Sequence, residues 1–372
     1  MAWTKYQLFL AGLMIVTGSI NTLATKWADD SKSKGRDGKI KKFNHPFLQA
    51  AAMFFGEFLC FLVYKLMYHY YMRRNNNDAE QLPESIKGNR NFNPFIFMIP
   101  ALCDLTATSV MYIGLNMTSS SSFQMLRGAL IIFTGLFSII FLKRRLRLYH
   151  WFGMFLVIGG LIIVGLSDML SKNENNSTIG DILIILAQIV VATQMIVEEK
   201  YVSGSNVSPL QAVGWEGLFG FVILSILLVP MYFIKIKGEM FSTNPDNQIE
   251  DAIDGFYQIF NSWEVASGIS GTILSIAFFN FAGISVTKQL SATTRTVLDS
   301  VRTIIIWIFS LAIRVEDFSF YKLGGFFVLL IGMAIYNSVF NGLFCKHNSE
   351  TLVINDEEGE EADATYSQDI IS

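Results

Sequence analysis

Charge is scarce in this chain. Only 16% of its 372 residues are charged, while 52% are hydrophobic. A soluble domain averages about 25% charged residues, so the deficit excludes an ordinary soluble domain and indicates an integral membrane protein. The period-two alternation of barrel strands is missing too, which excludes an outer-membrane barrel. Three cysteines, Cys60, Cys103 and Cys345, have no paired spacing and form neither a disulfide framework nor a zinc site. The formal net charge is −3, and no basic patch recruits nucleic acid. There is no Gly-x-Ser-x-Gly, His-Glu-x-x-His, Walker or Gly-x-Gly-x-x-Gly motif, and His45, His69, His150 and His347 fall at the edges of apolar runs or in loops. The expectation is therefore no enzyme, no metal and no cofactor. Without a nucleotide-binding domain, any transport would have to run on gradients.

What the chain does have is apolar runs of the roughly 20 residues that a helix needs to span a bilayer. Ten helices are expected, at about 6–25, 46–70, 93–115, 121–142, 149–168, 180–200, 209–235, 263–286, 294–314 and 320–342. Two longer hydrophilic segments interrupt them, 26–45 and 236–260. Residues 346–372 form an acidic tail without apolar periodicity, where disorder is the default. With the N-terminus cytosolic, Lys143-Arg144-Arg145-Leu146-Arg147 obeys the positive-inside rule. The sequons at Asn175 and Asn176 then lie in the lumen as candidate glycosylation sites. Segment 26–45 would be luminal as well, despite its seven Lys/Arg. The first apolar run could be read as a cleaved signal, since Val16 and Gly18 are small enough to precede a cut. Its removal would leave nine helices and deprive the sixth of a counterpart.

That counterpart matters because the second half of the chain repeats the first. Pro46-Phe47-Leu48-Gln49-Ala50 answers Pro209-Leu210-Gln211-Ala212, and Tyr112-Ile113-Gly114-Leu115 answers Phe281-Ala282-Gly283-Ile284. Leu126-Arg127 answers Val301-Arg302, and Gly153-x-Phe155-Leu156-Val157 answers Gly324-x-Phe326-Phe327-Val328. Five spans repeated once enter the membrane from opposite sides, the build of secondary transporters with a midplane solute site. The expected fold is thus an all-α integral membrane protein of two inverted five-helix repeats, 1–170 and 178–345.

An ionisable group inside a span costs roughly 2.5–3.5 kcal/mol even on the lenient insertion scale, so it should face the bundle interior. Few qualify: Glu57, Asp104, Arg127, Glu216, Asp299 and Arg302. Asp299 and Arg302 are i,i+3 neighbours on one helix face. Their equivalents, Gln124 and Arg127, keep the cation without its counter-charge. Two arginines related by the repeat would give a positive cavity suited to phosphate, sulfate or carboxylate. Alternatively they are glue, with Arg302 neutralised by Asp299 and Arg127 by Asp104 or Glu57. Gln194 and Asn280, the latter within Phe278-Phe279-Asn280-Phe281, can orient a planar solute or bridge helices. Glu57, Glu198 and Glu216 are candidates for gating or proton coupling. For Glu198 and its neighbour Glu199 the simpler expectation is solvated carboxylates at a helix end. Glycines 153, 159, 160 and 165, with 324, 325 and 332, permit close helix contact; packing within the bundle explains them more economically than a homodimer.

The stretches Met117-Thr118-Ser119-Ser120-Ser121-Ser122-Phe123-Gln124-Met125-Leu126-Arg127-Gly128, Ser275-Ile276-Ala277-Phe278-Phe279-Asn280-Phe281-Ala282-Gly283-Ile284 and Leu290-Ser291-Ala292-Thr293-Thr294 through Arg302 resemble solute carrier family 35, within the drug/metabolite transporter superfamily. The resemblance covers about residues 1–345. It implies a carrier in the lysosomal membrane, with mitochondrion, Golgi or another endomembrane as alternatives. The wider family moves nucleotide sugars in exchange for nucleoside monophosphates, and the superfamily includes chloroquine-resistance transporters that resemble proton-driven exporters. The Gly-Ala-Leu-Asn-Lys word of GDP-mannose carriers is absent, and helix nine opens instead on Ser291-Ala292-Thr293-Thr294.

The leading expectation is a secondary transporter of a small polar, anionic solute, with the lipid bilayer as its other partner. Arg127, Gln124, Asp104, Asn280, Asp299, Arg302 and Gln194 are the candidate binding residues. The alternatives are a proton-coupled carrier of cationic or peptide solutes, and a membrane adaptor that transports nothing.

Overall fold

The computed structural model describes residues 4–74, 82–115, 117–118, 120–144, 146–170, 178–235, 248–312 and 320–336. Among them lie α1 (Lys5–Asp30), a hairpin of β1 (Lys32–Lys34) and β2 (Ile40–Lys42), α2 (Pro46–Arg74), α3 (Met98–Leu115), α4 (Ser120–Leu126), α5 (Leu130–Leu142), α6 (Leu148–Leu170), α7 (Thr178–Gly204), α8 (Pro209–Phe233), α9 (Ala252–Asn261), α10 (Trp263–Gln289), α11 (Ala292–Ala312) and α12 (Phe320–Tyr336). A 3-10 turn at Pro94–Phe97 leads into α3, and another at Arg127–Ala129 joins α4 to α5. Asn175, Asn176, Cys345 and the acidic tail lie outside the described residues, as does the side chain of Gln124.

Local chemistry sets the helix starts. Thr4 and Gln7 form a reciprocal capping box on α1. Ser208 caps α8, with Pro209 pre-set at its first position. Among the described residues, seven helical stretches are long and apolar enough to cross a bilayer: α1, α2, 94–115, 148–166, α7, α8 and α10. Two more apolar stretches, Arg127–Leu142 and Leu323–Tyr336, are shorter. Their outer faces expose large apolar side chains such as Phe9, Phe155, Ile162, Ile226 and Leu274. Lipid accepts such a surface because backbone groups are satisfied within each helix.

The helices pack in pairs: α1 along α10, α2 along α8, α3 along α7 and α6 along α12. Close approach in the last pair needs glycine. A Cβ on Gly153 would come 2.7 Å from the Gly332 carbonyl oxygen, and one on Gly160 would come 2.8 Å from that of Gly325. Four of the seven glycines noted in the sequence are thus used within the bundle, whereas Gly159, Gly165 and Gly324 face open space.

Both hydrophilic segments hold structure that the sequence reading missed. The 26–45 segment forms the β1–β2 hairpin, turned at Gly38 with a positive φ of 78°. The 236–260 segment ends in α9, whose Asp254, Gly255 and Gln258 are buried while Ile253, Phe256, Tyr257 and Phe260 are exposed. The hairpin docks on α9: Ser33 Oγ donates to the Gln258 carbonyl (2.7 Å) and Asn261 Nδ2 to the Lys34 carbonyl (3.0 Å).

Candidate functional site

A cavity of about 490 Å³ lies among α1–α4, α7, α10 and α11. It reaches the end of the bundle that carries the hairpin, where Lys26, Asp29 and Asp30 line it. Three charged residues of α11 line it, and Arg295, Asp299 and Arg302 recur at i, i+4 and i+7, one face of that helix.

Asp299 holds two arginines at once. Its Oδ2 accepts from Arg127 Nη2 (3.2 Å), and its Oδ1 lies 2.8 Å from Arg302 Nη2 in an ion pair. The first contact joins the 3-10 turn after α4 to α11 across 172 residues of chain. Asp299 is therefore the counter-charge of Arg127, which neither Asp104 nor Glu57 supplies. That corrects the expectation that one of those two neutralises it. The Arg302 guanidinium also lies over the Phe279 ring, 4.8 Å from its centroid. Gly18 makes room for both, since a Cβ there would come within 2.5 Å of Arg302 Cδ and 2.7 Å of the Phe279 ring. Each guanidinium offers five donors in a fixed fork, and only a minority are engaged in these pairs.

The facing wall is acidic. Asn280 Nδ2 donates to Glu57 Oε1 (2.5 Å), and Thr108 Oγ1 donates to Asp104 Oδ1 (3.1 Å). Neither carboxyl is ion-paired with a described cation within 4.0 Å. Gln194 lines the cavity from α7. The structure therefore brings together Arg127, Asp104, Asn280, Asp299, Arg302, Gln194 and Glu57.

Glu216 stands apart. It is buried on α8 but does not line the cavity, and its Oε1 has no hydrogen-bond partner. Glu198 and Glu199 are not solvated helix-end carboxylates. They are buried, 0% and 5% exposed, because each has a partner from another element. Glu198 pairs with Arg295, and Glu199 pairs with Arg144 and accepts the Ala292 amide at the start of α11 (2.8 Å). These contacts join α7 to α11 and to the segment after α5 at the end opposite the hairpin. Arg295 is absent from the residues singled out in the sequence, although its spacing from Asp299 and Arg302 would have marked it. Among the described residues no group of three or more His, Cys, Asp or Glu could hold a metal ion.

A bundle of membrane-length apolar helices around a central cavity lined by charged side chains is the build of a multi-pass solute transporter rather than an enzyme. The chain belongs to the nucleotide-sugar transporter family, whose model matches residues 6–330. It is similar to human solute carrier family 35 member F6, with 56% identity over 345 residues that cover 91% of each chain. It is also similar to the UDP-galactose transporter of Schizosaccharomyces pombe, 25% identical over 171 residues, 44% of this chain and 47% of that one. One crystal structure of a protein shares the fold at a TM-score of 0.54 and 12% identity, over 92% of this chain and 100% of that chain.

Proposed function

We propose that this transporter moves a small anionic solute, nucleotide-like by family analogy, across an endomembrane by alternating access. The observation that carries the reading is the Arg127–Asp299–Arg302 chain on the cavity wall. Two guanidinium groups share one carboxylate, which leaves that cluster with an excess positive charge and free donors in a low-dielectric setting. A phosphate or carboxylate would bind there through the bidentate geometry that arginine favours. The Phe279 ring beside Arg302 offers a planar base or ring a stacking surface. A volume of about 490 Å³ falls within the roughly 300–1,000 Å³ of small-molecule sites.

The division into repeats 1–170 and 178–345 draws support from the packing. Exchanging the helices of the first five spans with those of the second five maps the α1–α10 contact onto α7–α3, and α2–α8 and α6–α12 onto themselves. In this reading one gate is closed here, by Arg144–Glu199 and Arg295–Glu198, and those pairs break when the other side opens. With both termini cytosolic, the open end faces the lumen, the side of the sequons at Asn175 and Asn176. A lysosomal membrane is the compartment that the family resemblance favours.

Glu57 and Asp104, carboxyls without an ion-paired cation, favour one second reading: a proton-coupled carrier of cationic or peptide solutes. Glu198 and Glu216 would then belong to the proton path. Thermal stabilisation of the purified protein by nucleotides, organic anions, amino acids and peptides separates the two, because a ligand that binds only the folded state raises its melting temperature. Anions are expected to stabilise the wild type, and Arg127→Gln is expected to lose that shift while melting near the wild-type temperature. Stabilisation by cationic solutes alone, lost in Asp104→Asn, would replace the first reading with the second.

A further inference from the structure

The hairpin end of the bundle holds a second set of titratable side chains, outside the cavity. His45 is 2% exposed and sits between two carboxylates. Its Nδ1 lies 2.7 Å from Glu250 Oε1, and its Nε2 lies 3.4 Å from Asp254 Oδ2. Glu250 is wholly buried and accepts the Phe47 amide with its other oxygen (2.9 Å). Asp254, on α9, also accepts the Arg36 amide (2.7 Å), Gln258 Nε2 (2.7 Å) and the Lys41 ammonium (2.9 Å). The Phe43 ring packs edge-on against the imidazole, and Gly255 is small enough to let the ring in.

We propose that His45 is a proton-binding site whose second proton latches the connection between α1 and α2 onto the connection between α8 and α10. The reason is a count of donors. A neutral imidazole donates from one nitrogen and presents a lone pair from the other, whereas an imidazolium donates from both. With a carboxylate oxygen facing each nitrogen, only the protonated ring satisfies both sides. Loss of that proton turns a lone pair toward a buried carboxylate, and an unpaired buried charge is costly. Histidine is the side chain suited to make this change between about pH 5 and 8.

The other charged groups around the ring are Asp254, Lys41, Asp37 and Asp29. Burial pushes the Asp254 carboxyl up, but the Lys41 ammonium and the Arg36 and Gln258 donors outweigh it and hold the group below the ordinary carboxylate range. Its contribution is present above that range and fades only as pH falls below it. Lys41 also lies 4.0 Å from Asp37 in the hairpin turn. Asp29, on the last turn of α1, accepts Gln49 Nε2 (2.8 Å) and lines the cavity mouth. The hairpin starts directly after that turn, and the Phe43 amide donates to the Ser31 carbonyl (3.1 Å). The latch therefore holds one lip of the mouth.

Hydrogen–deuterium exchange of the full-length protein in nanodiscs, corrected for the intrinsic pH dependence of exchange, tests this at about pH 5.5 and about pH 7.5. Peptides from 32–45 and 248–258 are expected to exchange about tenfold more slowly at the acidic pH, the scale of one charge-assisted hydrogen bond. In His45→Gln the two pH values should give the same rates, with exchange in the spans unchanged. No pH difference in the wild type, or an undiminished one in His45→Gln, overturns the proposal. If His45→Gln does not fold, Glu250→Gln decides: loss of most of the difference supports the latch, and full retention overturns it.

Discussion

At the scale of single residues, a charge in this bundle is defined by its partner on another element. Arg295 and Glu198 illustrate it, 5% and 0% exposed at the side chain and paired between α11 and α7. Removing one member strands the other as an unpaired buried charge, which costs about 3–5 kcal/mol. Glu198→Gln is therefore expected to lower the melting temperature of the purified protein sharply, whereas Arg127→Gln leaves Asp299 with Arg302 and costs little. The rule that intramembrane charges face inward identified Arg127, Asp104, Asp299 and Arg302 from the sequence alone. It could not separate the cavity from other buried surfaces, which is why Glu216, packed away from the cavity on α8, met the same criterion. It also failed at helix ends: a carboxylate in a last turn reads as solvated until a neighbour such as Arg144 or Arg295 is seen to cover it.

At the scale of elements, the apolar runs placed seven membrane-length helices among the described residues, whereas the expected span 121–142 is broken at Arg127–Ala129 and α11 is not apolar enough to count with them. The polar segments defeated the same method. The hairpin strands are mostly lysine, and the hairpin owes its form to Gly38 and to docking on α9, a contact more than 200 residues away in sequence. The α6–α12 seam was half legible: seven glycines are visible in the sequence, but which of them meet a neighbour depends on helix rotation. Gly160→Ala would drive a methyl within 2.6 Å of Leu329 Cγ and should cost about 1–3 kcal/mol by overpacking. Gly159→Ala meets nothing within 4 Å and should gain up to about 1 kcal/mol from helix propensity. Thermal denaturation of the two variants in one detergent checks the contrast.

At the scale of the whole molecule, the two ends of the bundle are held differently: the hairpin end by a buried histidine and its carboxylates, the other by arginine–glutamate pairs. The Arg144–Glu199 pair is partly exposed on its arginine side, and pairs of that kind contribute up to about 1 kcal/mol. Arg144→Ala should therefore shift the population toward opening at that end by about fivefold. The readout is the labelling rate of a cysteine placed at the buried Ala292 by a membrane-impermeant maleimide; an unchanged rate would mean that this pair holds nothing shut. The break between α4 and α5 carries a last consequence. In the proposed two-repeat reading the counterpart of this broken span is α11, which runs unbroken from Ala292 to Ala312. Arg127 sits on a 3-10 turn that can swing by local rewinding, while Arg302 can move only with its whole helix. If the proposed alternating access holds, loading from one face and release to the other start from unequal machinery, and the rate constants of the two half-cycles should differ even with the same solute on both sides.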